Sequence, residues 1–137
     1  MEVQDLIFAD YAAANQGGKF TLVGAGFNNI HTHKMPCVHG LMFVLARFKV
    51  TRQDIGKNRI EVRLVGEKGP IFSAQLDLNV AENHAGEQHL PVPIALQGIR
   101  FDQVGAYNCE VLINGEVRQS HILNIILLPQ AQKAPGA

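Results

Sequence analysis

Four side chains able to bind a metal stand within nine residues of one another: His31, His33, Cys37 and His39, in the run His31-Thr32-His33-Lys34-Met35-Pro36-Cys37-Val38-His39. On an extended segment His31 and His33 point to one face, about 6–7 Å apart along the backbone, so both rings can reach one ion. Cys37 or His39 from the following turn would complete three ligands and leave a position open, the arrangement of catalytic zinc or iron sites. The competing expectation is a polar loop between strands, because loops collect histidines and 6 His in 137 residues is an ordinary number. In that reading His39, which directly precedes a strongly apolar segment, bonds loop backbone. His84 and His89, flanking Ala85-Gly86-Glu87, fall in a second expected loop.

Other chemistry-bearing residues are sparse. Asp10 interrupts an apolar segment beside Tyr11 and, if buried, needs a hydrogen-bonded partner. With no base or nucleophile beside it, Asp10 is read as a structural polar group, together with Tyr11 and Tyr107. The chain has no Gly-x-Ser-x-Gly elbow, no glycine-rich phosphate loop with Lys-Ser/Thr, and no Cys-x-x-Cys pair. Gly24-Ala25-Gly26 is followed by no helix, so a bulge or close strand packing is expected there instead of a dinucleotide site. No catalytic residue is assigned and no cofactor is expected, unless zinc or iron occupies the histidine cluster.

The elements that must position these groups are strands, because apolar residues recur with period two almost everywhere. Ile60, Val62 and Leu64 alternate with Arg59, Glu61 and Arg63; after Glu67-Lys68-Gly69-Pro70, Phe72, Ala74, Leu76, Leu78 and Val80 alternate with polar residues, which predicts a hairpin. Asn15-Gln16-Gly17-Gly18 separates a strand over residues 3–14 from one over 20–30. Asn114-Gly115 predicts a type I′ turn joining residues 107–113 to 117–128, since both central residues of that turn need positive φ. Thr51-Arg52-Gln53-Asp54 with Gly56 reads as one capped helical turn. Pro91 and Pro93 lie on one side of the segment 89–96 and remove two amide donors, so that segment is an edge strand or is paired on one side only. The sum is an all-β chain of about eight strands with one short helical turn: an antiparallel β-sandwich, with a barrel or jelly roll as the next choice.

A length of 137 residues suits one domain, placed at 1–128, followed by a small, polar tail over 129–137. Apolar residues make up 47% and charged residues 18%, with 12 cations against 12 anions, which excludes a disordered chain and a basic nucleic-acid binder. Phe43 and Phe72 are placed as core residues, leaving no stacking platform for bases, and no nucleic-acid partner is expected. The start Met1-Glu2-Val3-Gln4-Asp5 lacks a basic n-region, and no apolar run approaches the ~20 residues that span a bilayer. A soluble, cytoplasmic protein without a membrane partner is expected, with Cys37 and Cys109 as free thiols.

Two segments break the pattern by being apolar on both faces: Leu41-Met42-Phe43-Val44-Leu45-Ala46 and Ile122-Leu123-Asn124-Ile125-Ile126-Leu127-Leu128. Something must cover the second face, either an overlying loop or another subunit. If a subunit, the interface residues are Met42, Val44, Leu123, Ile125 and Leu127.

Three resemblances follow. Asp102-Gln103-Val104-Gly105-Ala106-Tyr107-Asn108-Cys109 resembles the tyrosine corner of immunoglobulin-like domains, which implies that kind of sandwich; without any tryptophan, and with Cys37 in a loop beside Pro36, it does not imply the inter-sheet disulfide. Leu6-Ile7-Phe8-Ala9-Asp10-Tyr11-Ala12, Gly24-Ala25-Gly26-Phe27, Pro36 with His39, and Gly105-x-Tyr107 leading to Asn114-Gly115-Glu116 together resemble a bacterial family of small β-rich proteins of unknown function. That likeness implies a compact β domain and no reaction. The His-x-His pair is similar to the first motif of cupins, with Cys37 in place of the usual glutamate and the second motif reduced to His121-x-x-Asn124; this resemblance implies a metal.

The functional expectations are therefore a non-catalytic assembly module, associating with itself or with a larger bacterial or phage assembly; a metal-binding protein or enzyme built on the histidines; or recognition of a small molecule or peptide at loops or a sheet edge.

Overall fold

The computed structural model describes residues 1–82 and 87–129. Ten strands carry the described chain: β1 (Glu2–Ala9), β2 (Tyr11–Ala14), β3 (Phe20–Val23), β4 (Asn29–Thr32), β5 (Cys37–Thr51), β6 (Gly56–Gly66), β7 (Gly69–Val80), β8 (Glu87–Phe101), β9 (Gly105–Ile113) and β10 (Glu116–Leu127). Two 3₁₀ turns, Gln16–Gly18 and Arg52–Asp54, are the helical elements among the described residues. The fold is all-β, as the period of two predicts, with a sheet curled as a half-barrel. Most of the tail expected over 129–137 lies outside the described residues, as does His84.

The strands form three sheets: β1-β5-β8, β4-β10-β9-β6-β7, and the hairpin β2-β3. Every pairing is antiparallel except that of β4 with β10. Eight expected strands become ten because two of them break. Asp10 divides the first: its amide turns to the carbonyls of Val23 (3.0 Å) and Gly24 (3.3 Å) and leaves the β1 ladder. The second breaks where Gly24 (φ 58°) and Gly26 (φ 90°) take a left-handed backbone. Gly24 passes so close to Asp10 that a Cβ there would stand 2.1 Å from the Asp10 Oδ2, so the Gly-x-Gly fragment serves close packing. Asp10 itself is exposed.

The local turn chemistry reads directly. Asn114 (φ 51°) and Gly115 (φ 86°) make the turn between β9 and β10 with both central residues at positive φ. The Asn114 side chain also ties that turn to β6, its Oδ1 accepting the Arg59 amide at 2.9 Å and its Nδ2 donating to the Asn58 Oδ1 at 3.1 Å. In the 3₁₀ turn after β5, the Asp54 Oδ2 accepts the Thr51 amide at 2.8 Å.

One apolar core joins the two larger sheets. Phe8, Met42, Phe48 and Phe101 from the three-stranded sheet meet Ile60, Leu64, Leu123 and Ile125 from the five-stranded sheet. Burial of this row is the main stabilising contribution. Outside it, Ala9, Ala12 and Leu45 are buried on the opposite side of β5, at 0, 3 and 0% exposure. There β2 packs across β5 and β8, and the Tyr11 ring meets the Phe43 ring edge-on at 5.4 Å. The second face of β5 is thus covered around Leu45 by the chain's own β2, while Leu41 stays 50% exposed.

β8 is an edge strand, as its prolines predict: it pairs with β5 alone, with Pro91 opposite Arg47 and Pro93 opposite Leu45. Its buried side changes parity across Gly98 (φ 65°), from Ile94 and Leu96 to Ile99 and Phe101. β5 changes with it.

Candidate functional site

The structure separates the four expected metal ligands. β4 stops at Thr32, whose hydroxyl donates to the Lys34 carbonyl (2.9 Å) and accepts the Lys34 amide (3.3 Å), so the chain turns before His33 can continue the strand. Ile30 points into the core and His31 is exposed, beside an exposed His33. Cys37 and His39 are half-buried on β5, opposite the buried Phe101 and Ile99. Among the described residues no three His, Cys, Asp or Glu side chains stand close enough to hold one ion. Neighbourhood in sequence does not become convergence in space, because the turn at 33–36 separates an outward β4 face from an inward β5 face.

The reduced second motif has a structural task. The His121 Nε2 lies 2.7 Å from the Asn28 Oδ1, and the Asn124 Nδ2 donates to the Asn29 Oδ1 at 3.1 Å. Both residues therefore pin the segment entering β4 alongside β10. His89 sits on β8, not in a loop, next to Gln4 and Glu87.

Tyr107 closes the corner before β9. Its hydroxyl donates to the Gln103 carbonyl at 2.7 Å and accepts the Gln103 amide at 3.4 Å, while its ring lies edge-on to Phe101 at 5.0 Å. The ring also lies close against Gly66, where a Cβ would come within 2.8 Å of its Cε1. Two residues on, Cys109 is fully buried; burial first, then the charge of Glu110, pushes its thiol up to about 12. Both cysteines are free. Tyr11, by contrast, is half-exposed at 50%.

The residues expected at an interface require correction. Met42, Val44, Leu123 and Ile125 are 0, 0, 0 and 2% exposed within the chain's own core, so none is open to a partner. Period two assigns β5 and β10 two faces without saying which is inward. On β10 the apolar residues left outward are the exposed Val117 and Ile122 (51%) and the half-buried Ile126; Leu127, at the strand's end, stays 49% exposed.

The apolar surface left open inside the fold lies elsewhere. Phe72, Ala74, Leu76 and Leu78 on β7, with Leu90 and Val92 on β8, pack against the core yet remain partly exposed. β7 closes one end of its sheet and, among the described residues, pairs with β6 alone. On the outward side of this pair, Ser73 donates to Glu61 at 2.8 Å, Lys57 meets Asp77 at 3.3 Å, and Arg59 bonds Gln75. An open groove lined by Lys57, Arg59, Gln75, Leu76, Asp77 and Asn114 follows the strand. The alternation of residues 71–80 announces the strand but not its position at a sheet end; the signal available was a run with one charge and no proline after Pro70.

No helix among the described residues is long and apolar enough to cross a membrane. No curated protein matches the chain. Among solved structures it is similar to the Pseudomonas fluorescens alkylpurine DNA glycosylase AlkC bound to DNA containing an abasic site analog, at 17% identity and a TM-score of 0.45, over 72% of this chain and 28% of that one. The model of DUF6941, a family of unknown function, matches residues 4–126, so nearly the whole described chain is family sequence, and the chain belongs to that family.

Proposed function

We propose that this chain is a non-catalytic, immunoglobulin-like β-sandwich module that builds an assembly by associating with copies of itself. The sandwich reading is supported by one core drawn from both larger sheets and by the Tyr107–Gln103 hydrogen bond at the corner before β9. The observation that carries self-association is the partly open apolar row on β7 and β8, which pack against the core without being closed over by the chain. Apolar surface held half-wet beside an open strand edge is what a second chain removes from water.

Native mass spectrometry of untagged protein over a concentration series tests this. Integer multiples of the polypeptide mass, growing with concentration and carrying no metal, are expected. A monomer at every concentration overturns self-association, and a stoichiometric metal lost in His31→Ala and His33→Ala overturns the non-catalytic reading.

A further inference from the structure

We infer that two copies pair through β7, antiparallel, about a two-fold axis at Gln75, joining their five-stranded sheets into one. The inference rests on the self-association reading and names its surface. Four strands end sheets in the larger layers, and three of them are poor templates. β8 carries Pro91 and Pro93; β4 has four residues; β1 carries Glu2 and Asp5, the latter 2.6 Å from the Arg47 Nε. β7 has twelve residues, and between Ile71 and Val80 its one charge is Asp77, already matched by Lys57. Its one proline and its one irregularity, Pro70 and the unpartnered Ile71, lie at its first end, and nothing over residues 72–80 discourages a further strand.

The sequence of β7 is complementary to itself. Residues opposite one another across an antiparallel pair lie on one face of the sheet, so odd residues face odd ones and even face even ones. With Gln75 on the axis, Phe72 faces Leu78 of the second copy and Ala74 faces Leu76, which continues the half-open apolar row through the junction. On the outer face Ser73 meets Asp77. Placing the axis at Asp77 would oppose two carboxylates, an axis at Ala74 would set Pro70 against Leu78, and an axis at Leu76 would set Phe72 against Val80, which is already buried. Pairing over residues 72–78 makes about six to eight backbone hydrogen bonds, within the range that a standard interface carries. A second copy suits the row better than residues 130–137, whose sequence Gln-Ala-Gln-Lys-Ala-Pro-Gly-Ala has no large apolar side chain to fill it.

The test uses single substitutions in the full chain, in a Cys37→Ser background. Gln75→Cys is expected to cross-link to its own copy under mild oxidation, while Ser73→Cys, about 14 Å from its own counterpart along the strand, is not. Ser73→Asp, which faces Asp77 twice in the pair, is expected to weaken dimerisation at least tenfold, and Ser73→Lys to tighten it, both with the circular dichroism of the parent. Multimers that are indifferent to Ser73→Asp and do not cross-link at 75 overturn the β7 pairing and leave self-association standing. A chain that is monomeric throughout overturns both. A monomer that gains mass as a dimer only after removal of residues 130–137 overturns the inference in favour of the tail as occupant.

Discussion

The ring of Tyr11 meets the ring of Phe43 edge-on, with centroids 5.4 Å apart, and this contact helps to cover the part of the second apolar face of β5 around Leu45. Below it Leu45 is fully buried. Tyr11→Ala should remove half-exposed ring area and the aromatic pair together, costing about 1–2 kcal/mol in urea unfolding. Association should be unchanged, because the hairpin β2-β3 belongs to neither β7 nor its sheet.

Tyr107→Phe removes a buried hydroxyl that both donates to and accepts from Gln103. A loss of about 1–2 kcal/mol is expected from equilibrium unfolding. Gly66→Ala presses a methyl against the same ring at 2.8 Å and should cost about 1–3 kcal/mol by displacing it. Equal stability of either variant with the parent would remove the corner from the account of the fold.

The two thiols should separate in reactivity. Cys109, fully buried with its thiol pushed up to about 12, stays protonated at neutral pH, whereas Cys37 is half-buried. A disulfide reagent should titrate one thiol in the folded chain and the second only in denaturant. Two fast thiols would contradict the packing of β9.

Asp54 gives the acid limb of stability. Burial works to raise its carboxyl, but the Thr51 amide and the amino group of Met1, 2.9 Å away, outweigh it and hold the group below the usual carboxylate range. The folded chain therefore binds this proton less tightly than the unfolded chain. Its stabilisation is full above the unfolded carboxylate pKa and is lost as pH falls through the depressed folded value. The urea midpoint should fall between about pH 6 and about pH 3, and Asp54→Asn should fall less over the same range.

Where a feature depends on neighbouring residues alone, the sequence was readable. Asn114-Gly115 demanded positive φ twice and took it; Pro91 and Pro93 forbade a second ladder and β8 has one; Tyr107 bonds back to Gln103. The features that failed depend on distant chain. Whether Leu123 or Ile122 faces inward depends on which side of β10 receives the other sheet, and the cover for Leu45 comes from residues some thirty positions earlier. The parallel seat of β4 beside β10 hangs on Asn28 and Asn29 meeting His121 and Asn124, a pairing without local periodicity. The histidine cluster misled for the same reason: the Thr32 hydroxyl turns the chain between His31 and His33.

Amide hydrogen exchange along β7, followed at low and high protein concentration, tests the assembly reading most directly. Alternate amides in residues 71–80, open on the side away from β6, should exchange rapidly in dilute protein and become protected as concentration rises, while amides of β8 stay unchanged. Exchange along β7 that is the same at both concentrations would contradict the account.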